Sequence, residues 1–215
     1  MKVALIGATG FVGKAILKEL LQRSHQVTAI VLNPDGLENQ AGLTIQQGNV
    51  LEAEAFAATV EGSDAVISAF NAGWTNPNLY DDFLKGSIAI QEGVKNSGVK
   101  RLLVSGGAGS LYLGDHQLVD SPDFPEEWKA GATAARDYLE SLKKESDLDW
   151  VFISPAIEMH PGTSGIRKGV YRTGGDNPVF DENGKSVISV EDLALAIVDE
   201  LEQPEHHRQR FTVAY

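Results

Sequence analysis

Glycine spacing near the N-terminus constrains this chain more than any other feature. Gly7, Gly10 and Gly13 stand at i, i+3 and i+6 in Gly7-Ala8-Thr9-Gly10-Phe11-Val12-Gly13. Val3-Ala4-Leu5-Ile6 comes just before, a continuous apolar run that reads as a parallel strand buried on both faces. After it, Val12, Ile16 and Leu20 recur at helical spacing, with Lys14, Lys18 and Glu19 on the other side. The first glycine permits a sharp exit from the strand. The second lets backbone approach a ligand, and the third lets the helix pack close to the strand. The helix then offers unpaired N–H groups and a positive dipole end to an anion, here expected to be the pyrophosphate of a dinucleotide.

The rest of the chain repeats the same alternation. Gln26–Val31, Leu43–Gln46, Asp64–Ser68, Arg101–Ser105 and Trp150–Ile153 read as further strands. Helices are expected over 51–60, 79–97 and 130–145, the second of them stopped at Ser97-Gly98. This order implies one α/β domain over residues 1–215, a doubly wound Rossmann parallel sheet. Residues 155–186 are rich in Gly and Pro, and a loop-rich, substrate-facing region is expected over 155–190. Glu191–Leu201 is a final helix with Ser189 as its N-cap, and Arg210–Val213 a last strand.

Charge and composition remove several function classes. The net charge is −12, with 30 acidic against 18 basic residues. Such a chain is poorly suited to nucleic acid or anionic membranes, both of which need clustered cations. An anionic cofactor must be held by backbone amides instead. There is no cysteine, so disulfides and thiolate chemistry are excluded, and the reducing cytoplasm is the expected setting. No signal peptide or membrane-spanning run is expected. His206-His207 lacks further metal ligands and reads as a solvated turn, so no metal site is expected. Nothing in the sequence sets an oligomeric state.

The GxxGxxG spacing resembles the short-chain dehydrogenase/reductase superfamily in its extended and atypical branches. Other stretches carry the same resemblance. Gly48-Asn49-Val50 looks like the segment that meets the adenine, and Asp64–Ala69 like the fourth strand that lines the cofactor. Val104–Ser110 ends the fifth strand where that superfamily carries a serine, and Ser154-Pro155-Ala156 resembles the turn beside the nicotinamide. The likeness is closest to small NAD(P)H-binding proteins of the NADH-flavin reductase, NmrA and epimerase/dehydratase kinds. It implies NAD or NADP as cofactor, held by Gly7, Thr9, Gly10, Phe11, Val12, Leu32, Asn33, Asn49, Val50, Ala69, Phe70, Ser105 and Pro155. Preference between the two is open. Leu32 stands where relatives commonly carry arginine, and Asp35 falls slightly late for a ribose carboxylate.

The superfamily's usual acid is a tyrosine with a lysine four residues later, stacked on one helix face. No such pair exists. Position i+4 is Leu84 after Tyr80, His116 after Tyr112, Leu142 after Tyr138 and Gly175 after Tyr171, while Tyr215 ends the sequence. Trp128 and Ala132 align with the two positions. Hydride transfer to a flavin, quinone or similar conjugated acceptor needs no strong protein acid, because water can supply the proton. Flavin reductase-type relatives carry a serine after the fifth strand and a histidine after the sixth, and Ser110 and His160 match them most nearly. Ser110 reads either as a polariser of an acceptor carbonyl or as the cap of a glycine turn. His160 reads either as a donor to the acceptor or as a loop residue. Trp74 is either a stacking platform or loop packing. An NmrA-like sensor that binds dinucleotide without turnover, and an NAD-dependent epimerase or dehydratase, are the alternatives.

Overall fold

Strands form where the apolar runs lie, because each run is sandwiched between two layers of helices. The computed structural model describes residues 1–215. Lys2–Ile6 (β1) passes through the glycine turn into Phe11–Gln22 (α1). Gln26–Val31 (β2), Leu43–Gln47 (β3), Ala53–Val60 (α2), Ala65–Ser68 (β4), Leu79–Asn96 (α3) and Arg101–Ser105 (β5) follow. Next come a small hairpin, Tyr112–Leu113 (β6) with His116–Gln117 (β7), and then Glu126–Leu142 (α4) and Asp149–Ser154 (β8). Arg172–Gly174 (β9), Val190–Glu202 (α5) and Gln209–Ala214 (β10) complete the chain.

Eight strands join in the order β3-β2-β1-β4-β5-β8-β10-β9. All neighbours are parallel except β9 against β10. The strands sort their side chains with period two. Val3, Leu5, Ile67, Leu103, Val151 and Ile153 face α1 and α5, where they meet Ile16, Leu20, Leu193 and Ile197. Ala4, Ile6, Val66, Leu102, Val104 and Phe152 face the other way, against Phe56, Ile90, Val94, Tyr138 and Leu139 of α2, α3 and α4. Two continuous apolar layers result, and no helix is long and apolar enough to cross a membrane.

Three expectations are corrected. α4 begins at Glu126, not near residue 130, and ends at Leu142. Pro125 precedes it, and Glu126 and Glu127 place carboxylates at the positive end of its dipole. The 155–186 stretch is mostly irregular but contributes β9, which pairs Arg172, Thr173 and Gly174 to the free edge of β10. The His206-His207 turn is only half solvated: His207 is exposed, but His206 is partly buried. His206 stacks on Phe211 with ring centroids 4.1 Å apart and bonds Glu200 at 2.7 Å, and His207 bonds Asp149.

Ser189 caps α5 as expected, accepting the Asp192 amide at 3.1 Å. Asp192 is fully buried and ties down the preceding loop. It accepts from the amides of Lys168 and Gly169 at 2.8 and 2.9 Å and from the Tyr215 hydroxyl at 2.5 Å.

Candidate functional site

The sheet order reverses between β1 and β4. From β1 the chain winds to β2 and β3 on one side, and from β4 to β5 and β8 on the other. The loops leaving the C-terminal ends of these two strands diverge and open a crevice, the usual ligand site of such a sheet.

The glycine turn forms its floor. Gly7 has φ +80°, and a Cβ there would lie 2.3 Å from the Ala69 carbonyl oxygen. Only glycine lets the turn after β1 lie against the end of β4. Gly13 presses equally close to Gly7, its missing Cβ leaving room for the Gly7 carbonyl. Gly10 differs. Its Cβ would meet only the Gly7 oxygen, at 3.3 Å, so the space above it is open. Gly10 is the N-cap of α1 and no side chain caps the helix. Lys14 N–H returns to the Gly10 carbonyl, while the amides of Phe11, Val12 and Gly13 find no protein acceptor. Three free donors at the positive end of a helix, over a residue with no side chain, fit a pyrophosphate group.

The other residues expected at the cofactor lie along the same C-terminal edge. Leu32 stands exposed at the end of β2, where Gln47 Nε2 donates to its carbonyl. Asn33 and Asp35 bond each other twice, at 3.0 Å each. Asn49 Oδ1 accepts the Leu51 amide and holds the turn beyond β3, with Val50 buried beside it. Ala69 and Phe70 leave β4, and the Phe70 ring fills the space a Cβ on Gly86 would need. Ser105 ends β5 half-buried, and Pro155 follows β8 buried. Thr9 is half-buried within the glycine turn itself.

Ser110 and His160 are not brought into contact with each other. Ser110 is 2% exposed, and its Oγ accepts from Arg210 Nη1 at 3.4 Å, so its hydroxyl faces inward. His160 is exposed and caps a short turn, its Nδ1 accepting the Gly162 amide at 3.1 Å. That bond leaves the proton of a neutral imidazole on Nε2, a donor facing outward. Sequence reasoning missed the residue that organises this region. Arg210 on β10 donates to Asp176, in the loop after β9, and to Ser110, in the loop after β5. Its partners lie 34 and 100 positions away, a separation that leaves no local signal.

Three of the five tyrosine hydroxyls are committed elsewhere, and a fourth is buried in the core. Tyr80 donates to Asp137, Tyr171 to Asp199 and Tyr215 to Asp192, while Tyr138 is buried. The Asp137 bond raises the Tyr80 pKa above the usual phenol value, and burial raises those of Tyr138, Tyr171 and Tyr215. At the start of α4, Ala132 lies against the loop after β5, its Cβ 2.9 Å from where a Cβ on Gly109 would stand. Trp128 is one turn earlier on the same face, half exposed.

Comparison with known proteins agrees with this geometry. The profile of the NAD(P)H-binding family matches residues 7–204. The uncharacterized protein YwnB of Bacillus subtilis is 39% identical over 99% of this chain and 98% of its own length. A solved structure from Bacteroides thetaiotaomicron, provisionally named an epimerase, is 44% identical with TM-score 0.91, covering 100% of this chain and 96% of that one. Another, from Streptococcus pneumoniae and provisionally named an NADH-flavin reductase, is 37% identical with TM-score 0.88, covering 100% and 99%.

Proposed function

This chain belongs to the NAD(P)H-binding family, with NAD or NADP as its cofactor, and from that premise we propose that it is a reductase delivering hydride to a flavin, a quinone or a similar conjugated small-molecule acceptor. The observation that carries the proposal is the state of the tyrosines. A tyrosine acid must have its pKa lowered toward neutrality and its hydroxyl free to meet the substrate. Tyr80, Tyr138, Tyr171 and Tyr215 are all shifted upward, three of them bonded to carboxylates, and the fifth, Tyr112, has His116 where the partner lysine would stand. An acceptor that takes its proton from water needs no such residue, and this also disfavours the epimerase or dehydratase reading.

The dinucleotide, when bound, supplies the hydride. The chain's own work is placement. The amides of Phe11, Val12 and Gly13 hold the pyrophosphate, while Asn33 and Asn49 flank the adenosine end. Ser105 and Pro155 border the nicotinamide end. His160 offers its Nε2–H to the acceptor or to a bridging water. Ser110 contributes from behind, by holding Arg210 beneath the loop after β5. Residues 155–190 supply one wall of the acceptor pocket. The missing cysteines support a place of work in the reducing cytoplasm.

Loss of the reduced-nicotinamide absorbance, with NADH and NADPH separately against FMN and a small quinone, tests the proposal. Turnover above background supports it and names the cofactor. Binding of dinucleotide without turnover by either acceptor would overturn it in favour of an NmrA-like sensor.

A further inference from the structure

The chain has three tryptophans, and two of them face solvent at the same edge of the sheet. Trp150 is 2% exposed and belongs to the core, whereas Trp74 is 59% and Trp128 48% exposed. Two exposed indoles near one another offer apolar surface of the kind that marks ligand-binding grooves. Trp74 lies in the loop after β4, and its ring edge rests on α4. A Cβ on Gly131 would lie 2.8 Å from Trp74 Cζ3, so a side chain there would push the ring off the helix. Leu79 backs the same contact from α3.

Gly131 and Ala132 sit one turn below Trp128, at i+3 and i+4. The first meets Trp74 and the second meets Gly109 in the loop after β5. Trp128 therefore stands at the top of a ridge that has the loop after β4 on one side and the loop after β5 on the other. Trp74 is anchored along one edge, and both indoles are largely open to solvent. They occupy the rim on the β4–β5 side of the crevice, beyond the glycine turn.

We propose that Trp74 and Trp128 form an aromatic clamp that selects a planar, fused-ring acceptor of the isoalloxazine class over small or non-planar ones. The proposal rests on the reductase reading above and names its substrate class. Indole faces stack on flat electron-poor rings with little need for directional hydrogen bonds. Neither indole carries an acidic proton of use, so both are binding residues and take no part in proton transfer.

The full-length protein is titrated with FMN in the presence of oxidised dinucleotide, reading quenching of tryptophan emission, and FMN turnover with NADH and NADPH is measured beside it. Trp74→Leu and Trp128→Leu should each weaken FMN binding and raise its KM by about ten-fold, the scale of one lost aromatic stack. Trp74→Phe and Trp128→Phe should recover most of that loss. Dinucleotide affinity, read by energy transfer from Trp150 to bound NADH, should stay within about two-fold of wild type, because no indole stack there is removed. FMN affinity and KM unchanged in both leucine variants, with wild-type turnover intact, would overturn the clamp and leave the reductase reading standing. A wild-type protein that neither binds nor reduces FMN or a quinone would overturn the reductase reading and the clamp with it.

Discussion

The Gly7 carbonyl oxygen lies 2.0 Å from where a Cβ on Gly13 would stand. No side chain fits that gap, and the atom in the way is backbone, which cannot swing aside. Gly13→Ala should therefore push α1 off β1 and lower stability by about 3 kcal/mol, the upper range of forced overpacking. Urea unfolding measures it, and a wild-type midpoint would contradict the packing described.

Gly10 carries the opposite expectation. Its φ of −78° suits any residue, and its Cβ would have a single neighbour at 3.3 Å. Gly10→Asp should fold close to normally. A carboxylate set against the pyrophosphate meets like charge, which costs several kcal/mol, so affinity for NADH and NADPH should fall by roughly a hundredfold or more. Calorimetry on a variant with an unchanged melting transition separates the two effects, and unchanged affinity would remove the glycine turn as the phosphate site.

Asp192 should govern part of the acid stability. Burial raises its pKa, but bonds from Tyr215, the Lys168 and Gly169 amides and Ser189 outweigh burial and hold it below the usual carboxylate value. A depressed folded pKa means the stabilisation is complete above the unfolded value near ~3.9 and disappears as pH falls through the lower, folded one. Unfolding followed from pH 7 down to pH ~3 should show Asp192→Asn less stable than wild type at neutrality and converging with it in acid. A constant gap between the two at every pH would contradict this.

Two hydroxyls have no hydrogen-bond partner. Ser154 and Thr212 are fully buried, face each other in register across β8 and β10, and neither Oγ of Ser154 nor Oγ1 of Thr212 is bonded. Thr212→Val keeps the shape and removes an unpaired polar group, so it should stabilise the fold by about 1 kcal/mol. A drop in the denaturant midpoint would show that the hydroxyl is satisfied after all.

The parts of this fold legible in the sequence were those with a local cause. β1, β2, β4, β5 and β8 are buried on both faces, so each appears as an unbroken apolar run whatever its partners. The glycine turn is equally local, since Gly7, Gly10 and Gly13 each answer a contact within six residues or across one neighbouring strand. β9 could not be read this way. Arg172-Thr173-Gly174 has no apolar alternation and is a strand only because β10 presents it with an open edge.

The start of α4 misled for a different reason. Glu126-Glu127-Trp128-Lys129 carries little apolar periodicity, and the stronger signals were Pro125 and the two carboxylates after it. The candidate acceptor residues were legible by type only. Ser110 stands in the loop where a serine was expected, yet its orientation follows from Arg210, one hundred positions later. The pairing of Trp74 with Gly131 is equally remote, and a lone glycine inside a helix gave no hint of what would rest on it.

The reversal of strand order at β1 and β4 has a consequence for how such a protein diversifies. The glycine turn proposed to hold the pyrophosphate is built from β1, α1 and the end of β4. The loops after β5 and β8, and the opening turns of α4, border the far end of the crevice, away from that turn. One half of the molecule is thus an inherited handle and the other a replaceable tool head. Changes confined beyond residue 105 can explore new acceptors while the handle passes unaltered from one descendant to the next.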